Sequence, residues 1–204
     1  TDGTYFSAWS PVWNFFTLPG PDGFLLDLKA FLEGPYDVSE MTTWLNSNGY
    51  LPNDQPYDAA PWNFQEDESV DGIPSPDVTD WILIELRDAA NATAATSQTA
   101  VDSKSAFILK NGSVRSLDGS SLLQFQAGIT EGLFVVIHHR NHLAVMSADS
   151  LNKSGNTYAY DFTTADSQAF GGNNAVVEVV PGIWAMVGGD GNADAQVNNA
   201  DKNN

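Results

Sequence analysis

Short apolar runs, each closed by a turn signal, recur along this chain and leave room for little but β-structure. WILIELRDA (81–89) sets Ile82, Ile84 and Leu86 on one face of a buried strand. FLLDLKAFL (24–32) runs into a turn at Gly34-Pro35, and AFILKNGSV (106–114) carries an Asn-Gly pair, a strong hairpin signal. A second turn signal stands at Asp118-Gly119. SLLQFQ (121–126), GLFVVIHH (132–139), HLAVMSA (142–148), TYAYDFTT (157–164), AVVEVV (175–180) and GIWAMVG (182–188) complete the set. Runs this short and this closely spaced predict an all-β fold, an antiparallel sandwich of jelly-roll type with long loops. A short helical piece is expected around Ser39–Asn46, with Ser39 as its cap. Residues 51–80 hold Pro52, Pro56, Pro61, Pro74 and Pro76 and read as a long irregular loop. Residues 90–103, rich in Ala, Thr and Ser, read as a connection.

The first twenty residues stand apart. Tyr5, Phe6, Trp9, Trp13, Phe15 and Phe16 crowd together without a helical stripe, and Pro11 and Pro19 interrupt any long element. Such an arm must be covered, either by its own domain as a first strand or by a neighbouring subunit to which it is donated. The expected organisation is therefore an arm (1–20), a β-domain (21–187) and a C-terminal appendage (188–204).

Charge narrows the partners. Against 26 acidic residues stand 8 basic ones, a net charge of −18, and up to Glu85 the sole basic residue is Lys29. That surface repels nucleic-acid phosphates and anionic lipid headgroups and attracts cations. Net charge also serves solubility alone. With no cysteine, disulfides, thiolate zinc sites and thiol nucleophiles are excluded. No apolar run approaches the ~20 residues that span a bilayer, so no membrane insertion is expected. Thr1 opens without a basic n-region, so no signal peptide is read; for a secreted protein this is a mature or trimmed chain.

The strongest motif is GDGNADAQVNNADKNN (189–204). Asp190, Asn192, Asp194, Asn198 and Asp201 fall at positions 1, 3, 5, 9 and 12 of a calcium loop, with the Gln196 carbonyl at position 7. Ca²⁺ takes six to eight oxygen ligands at roughly 2.3–2.6 Å, which alternate residues of a tight loop can supply. Position 6 is Ala195 where an EF-hand has Gly, which strains the sharp turn, and position 12 is Asp201 rather than Glu. The expected cofactor is Ca²⁺; another metal, or a flexible Asn/Asp/Gly tail, are the alternatives.

Asp at position 12 followed by a basic residue resembles the first half of a dockerin-type repeat; the second half does not follow. LEGPYD (32–37), LPNDQPYDAAPWNF (51–64), DWILIELRDA (80–89), HHRNHLAVMSA (138–148) and YDFTTADSQAFG (160–171) precede it in order. Together they resemble a β-sandwich domain of large secreted bacterial surface proteins of adhesin or matrix type. The resemblance covers roughly residues 30–202. It implies an extracellular or cell-surface location, no catalytic activity, and other copies of the chain or surface proteins as partners.

Other constellations carry blander readings beside sharper ones. His138, His139 and His142 are all the histidines. Neighbouring His138 and His139 point to opposite faces of a strand, so a hydrogen-bonded hairpin or ladder built by His138, Arg140, Asn141 and His142 is expected rather than a transition-metal site or a ligand contact at a loop. No G-x-S-x-G elbow occurs, and Asp80, Glu85 and Asp161 read as structural or surface carboxylates rather than a glycosidase pair. Trp44, Tyr57 and Trp62, in or near the proline-rich loop, either pin that loop to the core or form a sugar-stacking platform. The alternative function is therefore a carbohydrate-binding module. Asn91, Asn111 and Asn152 stand in N-x-[ST] patterns and Ser150 in Asp-Ser-Leu, all candidate glycosylation sites.

Overall fold

The computed structural model describes residues 23–198 and Asp201. The calls on Tyr5, Phe6, Trp9, Trp13, Phe15 and Phe16 lie outside the described residues. In chain order the elements are β1 (Phe24–Lys29), β2 (Tyr36–Asp37), β3 (Glu40–Met41), helix α1 (Trp44–Ser47), β4 (Val78–Asp88), β5 (Ala100–Leu109) and β6 (Val114–Arg115). There follow β7 (Leu123–Phe125), β8 (Leu133–His139), β9 (His142–Met146), β10 (Asn152–Ser154), β11 (Thr157–Asp161), β12 (Val176–Val180) and β13 (Ile183–Met186). The fold is all-β, as the turn-punctuated apolar runs predict. Among the described residues no helix is long and apolar enough to cross a membrane.

Two larger sheets dominate. One runs β6-β5-β4-β8-β9 and is antiparallel throughout; the other runs β10-β11-β1-β7. The second departs from the antiparallel expectation, because β1 pairs β11 in parallel, Leu25 opposite Thr157 and Lys29 opposite Asp161. Sequence alternation fixes which faces meet. Phe24, Leu26 and Leu28 of β1 share one buried cluster with Ile82, Ile84 and Leu86 of β4 and with Val135 and Ile137 of β8. Each such side chain, fully buried, contributes about 1.5–3 kcal/mol of transfer free energy.

β4 is covered on both faces, which is why it reads as an almost unbroken apolar run. Its outer face carries Trp81 and Leu83, which join Phe107 under the proline-rich loop residues Leu51, Tyr57 and Phe64. That loop is tied down: the Tyr57 hydroxyl donates to the Trp81 carbonyl at 2.8 Å, and Trp81 Nε1 donates to the Pro52 carbonyl at 2.9 Å. At the far end of the same face, Ala95 covers Phe134, Val136 and Met146.

Three local expectations shift. The helix occupies Trp44–Ser47 and is preceded by Thr43, because Glu40 and Met41 are taken up in pairing with β2. Residues 100–103, expected as connection, belong to β5, whose polar start pairs with Glu85, Leu86 and Arg87. β10 was not expected at all, since Asn152–Ser154 is fully exposed and carries no apolar residue.

Candidate metal centre

The C-terminal loop is fastened to the domain before its acidic residues begin. The Gly188 amide donates to Glu33 Oε2 at 2.7 Å, and the Gly189 amide donates to the Asn141 carbonyl at 2.8 Å. Asp190 follows, buried at 4% exposure. Its two carboxylate oxygens accept the Asp194 and Ala195 amides at 3.1 and 3.2 Å. Asn192 Oδ1 accepts the Asp194 amide at 3.0 Å, and Asp194 Oδ1 accepts the Gln196 amide at 2.9 Å. Asp201 closes the turn, accepting the Asn198 amide at 2.7 Å and the Asn192 amide at 3.3 Å. The sharp turn needs left-handed backbone at Ala193 (φ 55°) and Ala195 (φ 65°), which L-residues adopt at a cost. The strain read from Ala195 at position 6 is therefore present.

This winding brings Asp190, Asp194 and Asp201 together, one oxygen of each within 4.8 Å of the others. Burial raises the Asp190 carboxyl above its ordinary range; the Asp194 and Ala195 amides work against that, and the charges of Asp201 and Asp194 add to it. Asp201 is held low, chiefly by the Asn198 amide. No cationic side chain bonds to the three carboxylates among the described residues. An all-oxygen donor set on a tight loop suits a hard divalent cation rather than a thiophilic or imidazole-seeking one. Asn192 lies within the same loop, its amide nitrogen on Asp194 Oδ2 at 3.1 Å, and exposed Gln196 and Asn198 contribute backbone donors to it.

The histidines form a second polar cluster, and its protons can be placed. Strand alternation sets Asp80 on the same inner face as Ile82 and Ile84, where it is 4% exposed. Asp80 Oδ1 accepts the Arg140 guanidinium at 2.6 Å and the Trp81 amide at 2.7 Å, and Oδ2 lies 3.1 Å from His139 Nε2. His139 Nδ1 accepts the Asn141 amide at 3.1 Å and lies 2.9 Å from His142 Nδ1. His142 Nε2 accepts the Gly34 amide at 3.2 Å. That last bond fixes the rest: His142 carries its proton on Nδ1 and donates to His139, which carries its own on Nε2 and donates to Asp80. Burial, with the His139 charge beside it, holds His142 down to about 3. Burial works to raise Asp80, but the His139 bond and charge and the Arg140 charge outweigh it and hold the carboxyl low.

A metal between the two Nδ1 atoms would require the proton on His142 Nε2, where Gly34 already points its own. The cluster is a hydrogen-bonded hairpin as expected from the sequence, but it runs through His139 rather than His138 and reaches Asp80. His138 lies on the other face, its Nε2 3.4 Å from Glu85 Oε2, while Glu85 Oε1 takes Arg87 Nε at 2.6 Å. These three line a trough of about 940 Å³, walled on one side by Trp62 and on the other by Asp190 and Ala193. Asp161 serves its own turn, accepting the Thr163 amide and hydroxyl at 2.8 and 2.6 Å.

The aromatic platform needs correction. Tyr57 is fully buried, its hydroxyl committed to Trp81, and offers no face to a sugar. Trp62 leans edge-on against Tyr57 at 5.1 Å and is partly buried. Trp44 alone of the three is well exposed, at 60%, and its ring lies 5.3 Å from that of Tyr50, itself 63% exposed. Sequence reasoning passed over Tyr50, although a Trp and a Tyr six residues apart across a short helix and turn was the available signal. Asn91, Asn111, Ser150 and Asn152 are all exposed; the Asn91 and Asn111 side chains brace turns by accepting the Ala94 and Ser113 amides. No family model, no curated protein and no solved structure matches this chain.

Proposed function

We propose that the chain is a non-catalytic, calcium-binding structural module of an extracellular surface or matrix assembly. The observation that carries this is the convergence of Asp190, Asp194 and Asp201 within 4.8 Å on a loop whose base is bonded to the β-domain. Among the described residues no cationic side chain stands between these three carboxylates, and a bound cation would relieve their mutual repulsion. A hard divalent ion is such a cation, and Ca²⁺ is abundant outside cells. Two sheets sharing one apolar core support the sandwich reading, and the acidic surface accords with a location where Ca²⁺ can screen it. Copies of the same chain and other surface proteins are the partners this reading names.

The test is calorimetric titration of the metal-stripped protein with CaCl₂ and with MgCl₂, alongside electron microscopy with and without chelator. Saturable calcium binding that Asp190→Asn with Asp194→Asn abolishes, and assemblies that chelation disperses, are the expected results. Absence of calcium binding ends the metal reading; a monomer indifferent to chelator ends the assembly reading.

The exposed Trp44–Tyr50 pair favours a second reading, a glycan-binding module. Paired aromatic faces left in water are a common sugar-stacking device. A glycan array probed with the wild type and Trp44→Ala separates the two readings, since a purely structural module lights no glycan.

A further inference from the structure

We infer that the groove beside Trp44 is a binding site for a neutral saccharide; this rests on the glycan-binding reading. The groove, of about 610 Å³, opens between the 32–35 turn, α1 and the β8–β9 hairpin. Its floor is apolar, from Leu32, Pro35 and Leu45, and Trp44 stands at its side with its ring 60% exposed. Thr79, in the same wall, is 3% exposed and its hydroxyl has no hydrogen-bond partner. A buried hydroxyl without a partner costs about 1–3 kcal/mol and calls for a ligand or water. Thr79 holds this position because the β4 bulge inserts it between Val78 and Asp80.

The charged groups nearby do not compete for that ligand. Both Asp80 oxygens are engaged by Arg140, Trp81 and His139, and both His142 nitrogens by His139 and Gly34. Glu33 holds the Gly188 amide. Apart from the second oxygen of Glu33, what the wall still presents is uncharged: the Thr79 hydroxyl, and the exposed Thr42 and Asn141 side chains. An aromatic face beside neutral donors and acceptors matches a ring that has an apolar face and hydroxyl edges. Anionic sugars are disfavoured by a net charge of −18.

The experiment is a nuclear magnetic resonance titration of the full chain with cellotriose, maltotriose, chitotriose and mannotriose, and with trigalacturonate as the anionic control. At least one neutral trisaccharide is expected to shift the Trp44 indole signal saturably. Trp44→Ala should weaken that binding about ten-fold or more, as loss of an aromatic anchor does, whereas Trp44→Phe retains most of it. Thr79→Val should weaken it roughly three-fold while leaving the melting temperature unchanged or higher, since it removes an unsatisfied hydroxyl. Trp62→Ala should stay within about two-fold of wild type. A neutral sugar that binds equally well to Trp44→Ala and Thr79→Val overturns the groove and leaves the glycan reading standing. No binding by any neutral saccharide overturns both, and tighter binding of trigalacturonate overturns the ligand class.

Discussion

The Asp80–His139–His142 cluster is buried, and the Asp190–Asp194–Asp201 cluster runs from buried Asp190 to exposed Asp194; both gather titratable groups, yet they differ in their partners. In the first, every proton and lone pair of the imidazoles has a protein partner, from the Arg140 guanidinium at one end to the Gly34 amide at the other. In the second, the carboxylates accept backbone amides and the Asn192 side-chain amide, and among the described residues no cationic side chain reaches them. The imidazoles of the closed cluster are fully partnered, though the buried Arg140 Nε at its edge is not. The open one gathers negative charge that, among the described residues, no cationic side chain meets, and the proposed divalent ion would meet it. Accounting for partners, rather than counting ionisable residues, separates the two.

The hardest way to break this comparison is to remove a member of each cluster. Asp80→Ala leaves the Arg140 guanidinium and the His139 Nε2–H without their acceptor, and a broken buried pair should cost about 3–5 kcal/mol in urea unfolding. A loss under about 1 kcal/mol would show that the closed cluster holds nothing together. Asp190→Asn should behave in the opposite sense: without divalent cation it should be neutral or slightly stabilising, because the wild-type carboxyl is already pushed up by burial and by its acidic neighbours.

Adding calcium sharpens the contrast further. At a hundred-fold excess over its dissociation constant the wild type should gain about 2.7 kcal/mol, and Asp190→Asn none of it. Calorimetric scans in calcium and in chelator read both numbers, and equal gains in the two proteins would move the binding site elsewhere.

Acid probes the closed cluster. His142 is neutral in the fold and titrates near 3, well below its ordinary 6.5, so the unfolded chain takes up a proton that the native protein refuses. Its contribution is complete above about pH 6.5 and is lost as pH falls toward 3, at up to about 1.4 kcal/mol per pH unit. Asp80, held below its ordinary 3.8, adds a contribution that begins to be lost as pH falls below that value, within the lower part of the same window. Unfolding free energies measured across this window should slope accordingly, and His142→Gln should flatten the slope; an unchanged slope would assign it to another group.

The smallest effect concerns the turn of the open cluster. Ala195 holds φ at 65°, a conformation glycine adopts freely. Ala195→Gly should stabilise the calcium-loaded protein by roughly 0.5–1 kcal/mol, the relief of strain being partly offset by the greater freedom of glycine in the unfolded chain. A loss of calcium affinity in that variant would mean that the methyl group is needed where it lines the trough.

How far the sequence carried these sites follows from the range of the interactions involved. β4 and β8 were legible because near-continuous apolar runs reflect burial on both faces, and the β5–β6 hairpin because Asn111-Gly112 is a local signal. The carboxylate loop was legible for the same reason: its donors recur within a dozen residues. Asp80 was not, and read as a flanking carboxylate, because its partners, His139 and Arg140, come from a hairpin far along the chain. The aromatic platform failed likewise. Nothing near Tyr57 says that Trp81 will claim its hydroxyl, and nothing near Trp44 says that it will be left exposed while Trp62 is partly covered.

The parallel pairing of β1 with β11 has a consequence for how the molecule is made. Phe24, Leu26 and Leu28 are synthesised well before Thr157, and half of their sheet does not exist until Thr157 has followed. Until then three greasy side chains wait uncovered, and a nascent or translocating chain must be shielded or kept extended over that interval. Whatever handles this protein before it is finished has to tolerate an early strand whose partner arrives late.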